Sequence, residues 1–219
     1  MKNGTLYAGK LKKFFTRLRH AGPRPDVPEP DDPLRRLATA ILGVGRGAEE
    51  GSKAVDRLLS TMVDWNEVRV SSAHEVASAV TDVVPGGLPR CQQLISALRA
   101  IYRLENKPSL ERLRSMGRRE ARQYLENLDG VDEHAVASVF LWSLGGHAIP
   151  VDDRSLDALR VSGVVEPKAA RVEVQAFLER HINATDAKEF CLLLASYSPD
   201  ATPSTGKART TSGGKARKS

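Results

Sequence analysis

Apolar residues recur three and four positions apart in nearly every segment between residues 33 and 195. Strand-type alternation is weak throughout, and only residues 65–70 could form a short extended piece. A chain that has helical periodicity and lacks strand-type alternation buries its apolar surface by packing helices against one another. The sequence therefore predicts an all-α fold.

One segment, residues 135–144, is apolar on nearly every side. A helix with no polar face has to lie inside the protein. We therefore predict a buried helix here, with Phe140 and Trp142 in the core rather than serving as stacking surfaces.

Capping signals mark where other helices begin. Asp32 followed by Pro33 predicts a helix start, and Ser72 followed by Glu75 predicts a capping box. Helices are also predicted at residues 10–20, 52–62, 91–105, 109–116, 119–125, 155–161, 167–181 and 186–195.

Positive charge is concentrated at the two ends of the chain. Residues 1–24 hold seven Lys or Arg and residues 201–219 hold five, with no acidic residue in either. Because the net charge is only +6, the part between them is acidic. Basic ends can bind phosphate backbones, although they can also simply be solvated. Because the middle of the chain is acidic, a helical protein-interaction module that does not bind DNA is an alternative function.

The chain divides into three parts by composition. Five prolines between residues 21 and 33 exclude a helix, so residues 1–32 are predicted to be a basic segment and an extended linker. Residues 33–200 form the helical domain, and residues 201–219 form a basic disordered tail. No apolar run approaches the roughly 20 residues that a membrane helix needs. Cys91 and Cys191 lie in no metal-ligand spacing, so we expect free thiols in a reducing cytoplasm.

Residues 128–137 read as a helix end, a turn centred on Gly130 and a new helix start. Such a hairpin directs the main-chain N–H groups around Gly130, Val131 and Asp132 outward. Together with the N-terminus of the next helix they make a site for one phosphate. The chain then passes through the apolar helix and a Gly/Pro stretch to Asp152, beside another helix start.

These two segments resemble the signature of endonuclease III-type DNA glycosylases. Residues 128–137 are similar to the Leu-Pro-Gly-Val-Gly-Arg-Lys-Thr-Ala hairpin of that family, and the segment from Ile149 is similar to its Ile-Ala-Val-Asp-Thr-His stretch. The resemblance covers residues 33–195. It implies a two-lobed glycosylase fold with a helix-hairpin-helix motif in the lobe formed by the middle of the chain. The other lobe would combine the helix from Pro33 with the last helices.

The resemblance implies that the protein acts in base excision repair on damaged double-stranded DNA, as a monomer located with the cytoplasmic nucleoid. Asp152 matches the family's catalytic aspartate, which stabilises positive charge at the sugar C1′ and helps to activate water. Capping the next helix is an alternative role, and the two roles can coexist. The Asp152 carboxylate is expected to be exposed at the bottom of a positively lined cleft, facing His134. His134 could hydrogen-bond a phosphate or a flipped base, or could be a first-turn histidine without a role.

The remaining positions depart from the family pattern. Asp132 replaces the second hairpin glycine; aspartate tolerates left-handed backbone better than most residues, but its charge would repel a phosphate. Gly130 is expected to serve the turn itself. Arg154 replaces a histidine of the family segment and could approach a phosphate or remain solvated.

Three family features are missing, and each absence limits the chemistry. His134 stands where bifunctional members carry a lysine, and imidazole cannot form a stable iminium, so we expect N-glycosidic hydrolysis without lyase activity. The four cysteines of the iron–sulfur cluster are absent, so neither that cluster nor another metal cofactor is expected. Residues 42–45 lack the glutamine that fills the gap left by a flipped base. Because these features are missing, a non-catalytic DNA-binding protein with the same fold is an alternative function.

Overall fold

The structure is a computed structural model that describes residues 4–197. Within that range the chain forms eleven α-helices and one 3-10 helix, with no strand, which confirms the all-α prediction. The helices are α1 (Gly4–His20), α2 (Pro33–Leu42), α3 (Ala48–Thr61), α4 (Trp65–Val70), α5 (Ala73–Ala79), α6 (Leu88–Glu105), α7 (Arg118–Glu126), α8 (Glu133–Trp142), α9 (Asp153–Val161), α10 (Arg171–His181) and α11 (Ala184–Ala195), with the 3-10 helix at Glu111–Ser115. The predicted disordered tail lies outside the described residues.

Two apolar cores share helix α8. The first core is built from α2 to α7 and one side of α8, through Ala135 and Val139. The second core is built from α1, α9, α10 and α11 and the other side of α8, through Ala137 and Leu141. Because α8 contacts both cores it needs no polar face, so the prediction of a buried helix is confirmed.

The predicted division of helices between the lobes is wrong at its N-terminal end. Helix α2 packs in the first core through Leu34, Leu37 and Ile41, and not with the last helices. The helix that joins the last helices is α1, whose apolar stripe includes Leu11 and Phe14. The sequence pattern shows that a helix has an apolar stripe, but it does not show which of two cores receives that stripe.

Residues 21–32 connect the two cores as a non-helical segment, as predicted. Asp31 anchors this segment. Its carboxylate accepts a hydrogen bond from Ser143 Oγ (2.8 Å) and pairs with Arg36 (2.7 Å), and its carbonyl accepts one from Arg114 (2.7 Å). The anchored segment runs along the boundary between the cores.

Both predicted caps form, but residues 65–70 are helical rather than extended. Asp64 caps this short helix by accepting hydrogen bonds from the N–H groups of Asn66 (2.8 Å) and Glu67 (2.9 Å). Val68 is buried in the first core. Local capping and burial therefore outweigh the β-propensity of the valines. No helix within residues 4–197 is long and apolar enough to cross a bilayer.

Candidate active site

A cavity of about 380 Å³ lies where the linker, the α2–α3 region, α8, α9 and α11 meet, so both cores contribute to its walls. His134 and Asp152, which are 18 residues apart in sequence, both line it. The other polar and aromatic side chains of the wall include Asp31, Arg36, Glu49, Ser138, Trp142, Arg154 and Tyr197. The fold thus brings the two residues predicted to be catalytic into one cavity.

Asp152 is the N-cap of α9. Its Oδ1 accepts a hydrogen bond from the Ser155 N–H at 2.8 Å, while Oδ2 has no hydrogen-bond partner among the described residues. The residue is only 7% exposed, so the expectation of an exposed carboxylate is wrong. Asp152 therefore caps the helix through one oxygen and also lines the cavity.

The expectation of a positively lined cleft is also wrong. The wall carries three carboxylates, those of Asp31, Glu49 and Asp152, against two guanidinium groups. One of these, Arg36, is already paired with Asp31. An acidic cavity is poorly suited to hold a phosphate, but it is suited to stabilise a group that develops positive charge.

His134 lies in the first turn of α8, and its Nδ1 is buried without a hydrogen-bond partner. Burial lowers the pKa of His134 below its ordinary value; the carboxylates of Asp152 and Asp132 act in the opposite direction, and Arg171 and Arg90 act in the same direction. The imidazole is therefore neutral at neutral pH. A neutral imidazole has one nitrogen that accepts a hydrogen bond, and Nδ1 is free to be that nitrogen.

Gly130 meets a steric requirement of the hairpin. Its φ is +82°, and an added Cβ would lie 2.5 Å from the carbonyl oxygen of Gln93 on α6. A glycine is therefore needed both for the turn and for its close approach to α6. The neighbouring Val131 donates its N–H to the Leu128 carbonyl (3.2 Å) and packs its side chain on the first core.

Asp132 has extended backbone (φ −93°) and caps α8, accepting a hydrogen bond from the Ala135 N–H at 2.9 Å. This position therefore needs no left-handed residue. The carboxylate occupies one amide of the first turn of α8 and adds a negative charge beside the hairpin. Arg171, the first residue of α10, lies 3.9 Å from Asp132 and 3.7 Å from Asp153.

Arg154 extends from α9 to the loop between α2 and α3, where its Nη1 lies 3.4 Å from the carbonyl oxygen of Arg46. That loop and Arg154 both contribute to the cavity wall. Arg154 thereby connects the two cores at the rim of the cavity.

Sequence reasoning missed Trp142. This residue is half-buried in the cavity wall rather than in the core, with Arg36 and Lys188 5.6 and 5.7 Å from its ring centre. Phe140, by contrast, is buried in the second core as predicted. Trp142 is the last residue of α8, where the helix leaves the space between the cores. Its position at the C-terminal end of the apolar run is the sequence feature that could have predicted this partial exposure.

Both cysteines are free thiols, as predicted. Burial raises the pKa of Cys91 to about 11 and that of Cys191, which lines the cavity, to about 12. Thiols with such pKa values are protonated at neutral pH and are poor nucleophiles. Within residues 4–197 no group of three His, Cys, Asp or Glu side chains is placed to hold a metal ion.

The sequence matches no family model and no curated protein significantly. Solved structures do match. Endonuclease III in a trapped covalent intermediate with DNA superposes with a TM-score of 0.65 at 14% identity, over 86% of this chain and 84% of its own. A thermostable thymine-DNA glycosylase gives 0.61 at 19% identity, over 85% and 84%. The Clostridium acetobutylicum 8-oxoguanine glycosylase/lyase, in complex with double-stranded DNA, gives 0.66 at 15% identity, over 89% and 69%. The chain therefore has the helical fold of these DNA glycosylases.

Proposed function

We propose that this chain is a DNA N-glycosylase that receives a flipped, damaged nucleotide in the cavity and cleaves its N-glycosidic bond with water. The observation that carries the proposal is that the Asp152 carboxylate and the unpartnered His134 imidazole line one cavity between the two cores. A volume of about 380 Å³ lies within the range of small-molecule sites. A base has to leave the duplex to reach such a cavity.

In this proposal Asp152 stabilises the transition state electrostatically. As the bond between C1′ and the base nitrogen lengthens, positive charge develops on the sugar, and the bonding electron pair leaves with the base. A carboxylate that is largely removed from bulk solvent, as Asp152 is, interacts strongly with that charge. Because Ser155 fixes Oδ1, Oδ2 can face C1′ without losing the helix cap.

His134 is the proposed proton acceptor. Water attacks C1′ through its oxygen, one of its protons passes to the neutral imidazole ring, and the departing base takes up a proton from solvent. The acceptor has to be neutral before the step, and the buried imidazole meets that requirement. Since no lysine lines the cavity within the described residues, we propose hydrolysis without a Schiff-base intermediate.

The hairpin between α7 and α8 is the proposed contact to the DNA backbone, as a helix-hairpin-helix motif. The N–H groups of Asp132 and Glu133 at the start of α8 have no partner among the described residues and can bind a phosphate oxygen. We propose double-stranded damaged DNA as the partner of a monomer. No cofactor is proposed, because the two cysteines of this sequence cannot supply the four thiolates of an iron–sulfur cluster.

The direct test is base release under single-turnover conditions from duplexes that each carry one lesion: uracil, 8-oxoguanine, 3-methyladenine or 1,N6-ethenoadenine. Strand scission only after alkali treatment would show an abasic product made without lyase activity. If the protein binds these duplexes but leaves every base attached, the enzyme proposal fails and the DNA-binding alternative takes its place.

The pH profile of base release should follow the lowered pKa of His134. The group has to be neutral, so activity is present above its pKa and is lost as the pH falls through it, which occurs below pH 6.5. We therefore expect a rate that stays above half of its maximum down to pH 6.5, measured on one lesion duplex at constant ionic strength. His134→Gln should be slower and should lack this acid limb. A wild-type rate that has already halved at pH 6.5 would contradict the assignment.

Replacing Asp132 by glycine should tighten duplex binding about fivefold at low salt, because it removes one negative charge from the phosphate site and frees the Ala135 amide. The stability cost should be only a few tenths of a kcal/mol, because glycine is accepted at an N-cap. Fluorescence anisotropy with a labelled duplex measures the change. Asp132→Asn keeps a capping side chain and removes only the charge, so it separates the two causes. Weaker binding by both variants would mean that the hairpin does not face DNA.

A further inference from the structure

Helix α1 carries unpaired positive charge along one flank. At 100° per residue, Lys10, Lys13 and Arg17 fall on one side of the helix, beside the buried stripe that includes Phe14. All three are exposed, and none has an ion-pair partner among the described residues. No acidic residue occurs within residues 1–24 to neutralise them.

The opposite flank of α1 binds α11 and stabilises the fold. Arg19 donates to Asp186 (2.7 Å) and Glu189 (2.6 Å) of α11 and lies 4.1 Å from the ring centre of Phe15. These contacts, with the apolar stripe in the second core, fix how α1 is rotated on α11. The charged flank is therefore presented in a set direction.

The Arg17 end of this flank lies near the cavity. The Phe14 ring packs edge-on against Tyr197 at 5.2 Å, and the Arg17 guanidinium lies 6.0 Å from the Tyr197 ring centre. Tyr197 in turn lines the cavity that holds Asp152 and also an adjoining surface groove. The row of Lys10, Lys13 and Arg17 thus ends beside the wall of the proposed active site.

We propose that this row, the α1 flank, binds the phosphate backbone of duplex DNA next to the flipped nucleotide. The inference rests on the proposed function and adds a second backbone contact on the opposite core from the hairpin. From Lys10 to Arg17 the helix rises about 10 Å at 1.5 Å per residue. Each DNA strand carries one charge per about 3.4 Å of axis, so the flank matches two or three phosphates.

Acidic side chains near this path do not cancel its charge. The adjoining groove contains Asp153 and Asp157. Asp153 lies 3.7 Å from Arg171, and Asp157 lies 3.4 Å from Arg160. The three cations of the α1 flank therefore remain available to an external polyanion.

The test is the salt dependence of duplex binding by the triple variant Lys10→Gln, Lys13→Gln, Arg17→Gln. We expect the slope of log K against log salt to become shallower by about two to three, and Kd at 50 mM salt to rise at least about tenfold. The matched control replaces Lys12, Lys107 and Arg119 by glutamine, which removes the same charge outside the flank. Glutamine is a comparable helix former, so α1 should persist.

Equal slopes for the wild type and the flank variant, or equal losses in flank and control variants, would overturn the inference. Arg17 also contacts aromatic rings, so Lys10→Gln with Lys13→Gln is measured as well and should show about two-thirds of the change in slope. Base release at saturating DNA separates the two proposals. If the wild type releases base and the flank variant binds as tightly, only the flank assignment fails; if the wild type neither binds duplex nor releases base, the proposed function fails.

Discussion

Replacing Asp152 by asparagine should lower the rate of base release by on the order of a hundredfold to a thousandfold. In the proposed mechanism the change removes the negative charge that faces the developing sugar cation, and it alters almost nothing else. The asparagine side-chain oxygen can still accept the Ser155 N–H, because asparagine caps helices as well as aspartate does. Single-turnover base release from the duplex that the wild type processes fastest measures the loss.

The matched control is Asp153→Asn, one residue along the chain. Asp153 is 68% exposed, faces Arg171 and does not line the cavity, so this variant removes an equal charge without touching the site. We expect it to retain base release within a few-fold. The melting temperature of Asp152→Asn should stay within about 3 °C of the wild type, the shift that 1 kcal/mol produces in a domain of this size. Equal rates for Asp152→Asn and the wild type would remove Asp152 from the mechanism.

Local sequence patterns were sufficient to predict the fold class, whereas His134 and Asp152 were chosen as candidate site residues because of the resemblance to endonuclease III-type glycosylases. Helical periodicity depends on neighbouring residues, and the apolar run from residue 135 required a central helix. The hairpin and the Gly/Pro stretch before Asp152 adjoin opposite ends of that helix, so sequence order alone does not bring His134 and Asp152 together. A first-turn histidine and a capping aspartate are each common, and only their shared cavity makes them a candidate site.

The features that could not be predicted depend on contacts between segments that are far apart in the sequence. Arg171 follows Asp132 by 39 residues, and no spacing indicates that α10 begins beside the hairpin. The acidic balance of the cavity has the same origin, because Asp31 comes from the linker and Glu49 from α3. The rotation of α1, which directs Arg17 toward Tyr197, depends on how its apolar stripe fits α11. Each of these features depends on a contact between distant segments, and the local patterns of a single sequence do not predict such contacts.

Replacing His134 by lysine should introduce lyase chemistry into the site that we propose to act by hydrolysis. A primary amine beside Asp152 would attack C1′ through nitrogen, the base would leave with the bonding electrons, and the sugar ring would open to a Schiff base as the amine loses its protons. Burial of this position disfavours the charged form of a lysine placed there, which favours the nucleophilic neutral amine. Borohydride reduces the C=N bond to a stable link, so a covalent protein–DNA band reports the step.

We expect this band to rise at least about tenfold above the wild-type background in His134→Lys. His134→Arg is the matched control, since arginine has similar length and charge but is not deprotonated in proteins and forms no Schiff base. Adding Asp152→Asn to His134→Lys should reduce trapping, because base departure still needs the carboxylate. A strong band in the wild type would overturn the hydrolytic mechanism, and equal bands in the lysine and arginine variants would place the reacting amine elsewhere. Trapping in the lysine variant alone would mean that position 134 faces the sugar C1′, the geometry on which water activation by His134 depends.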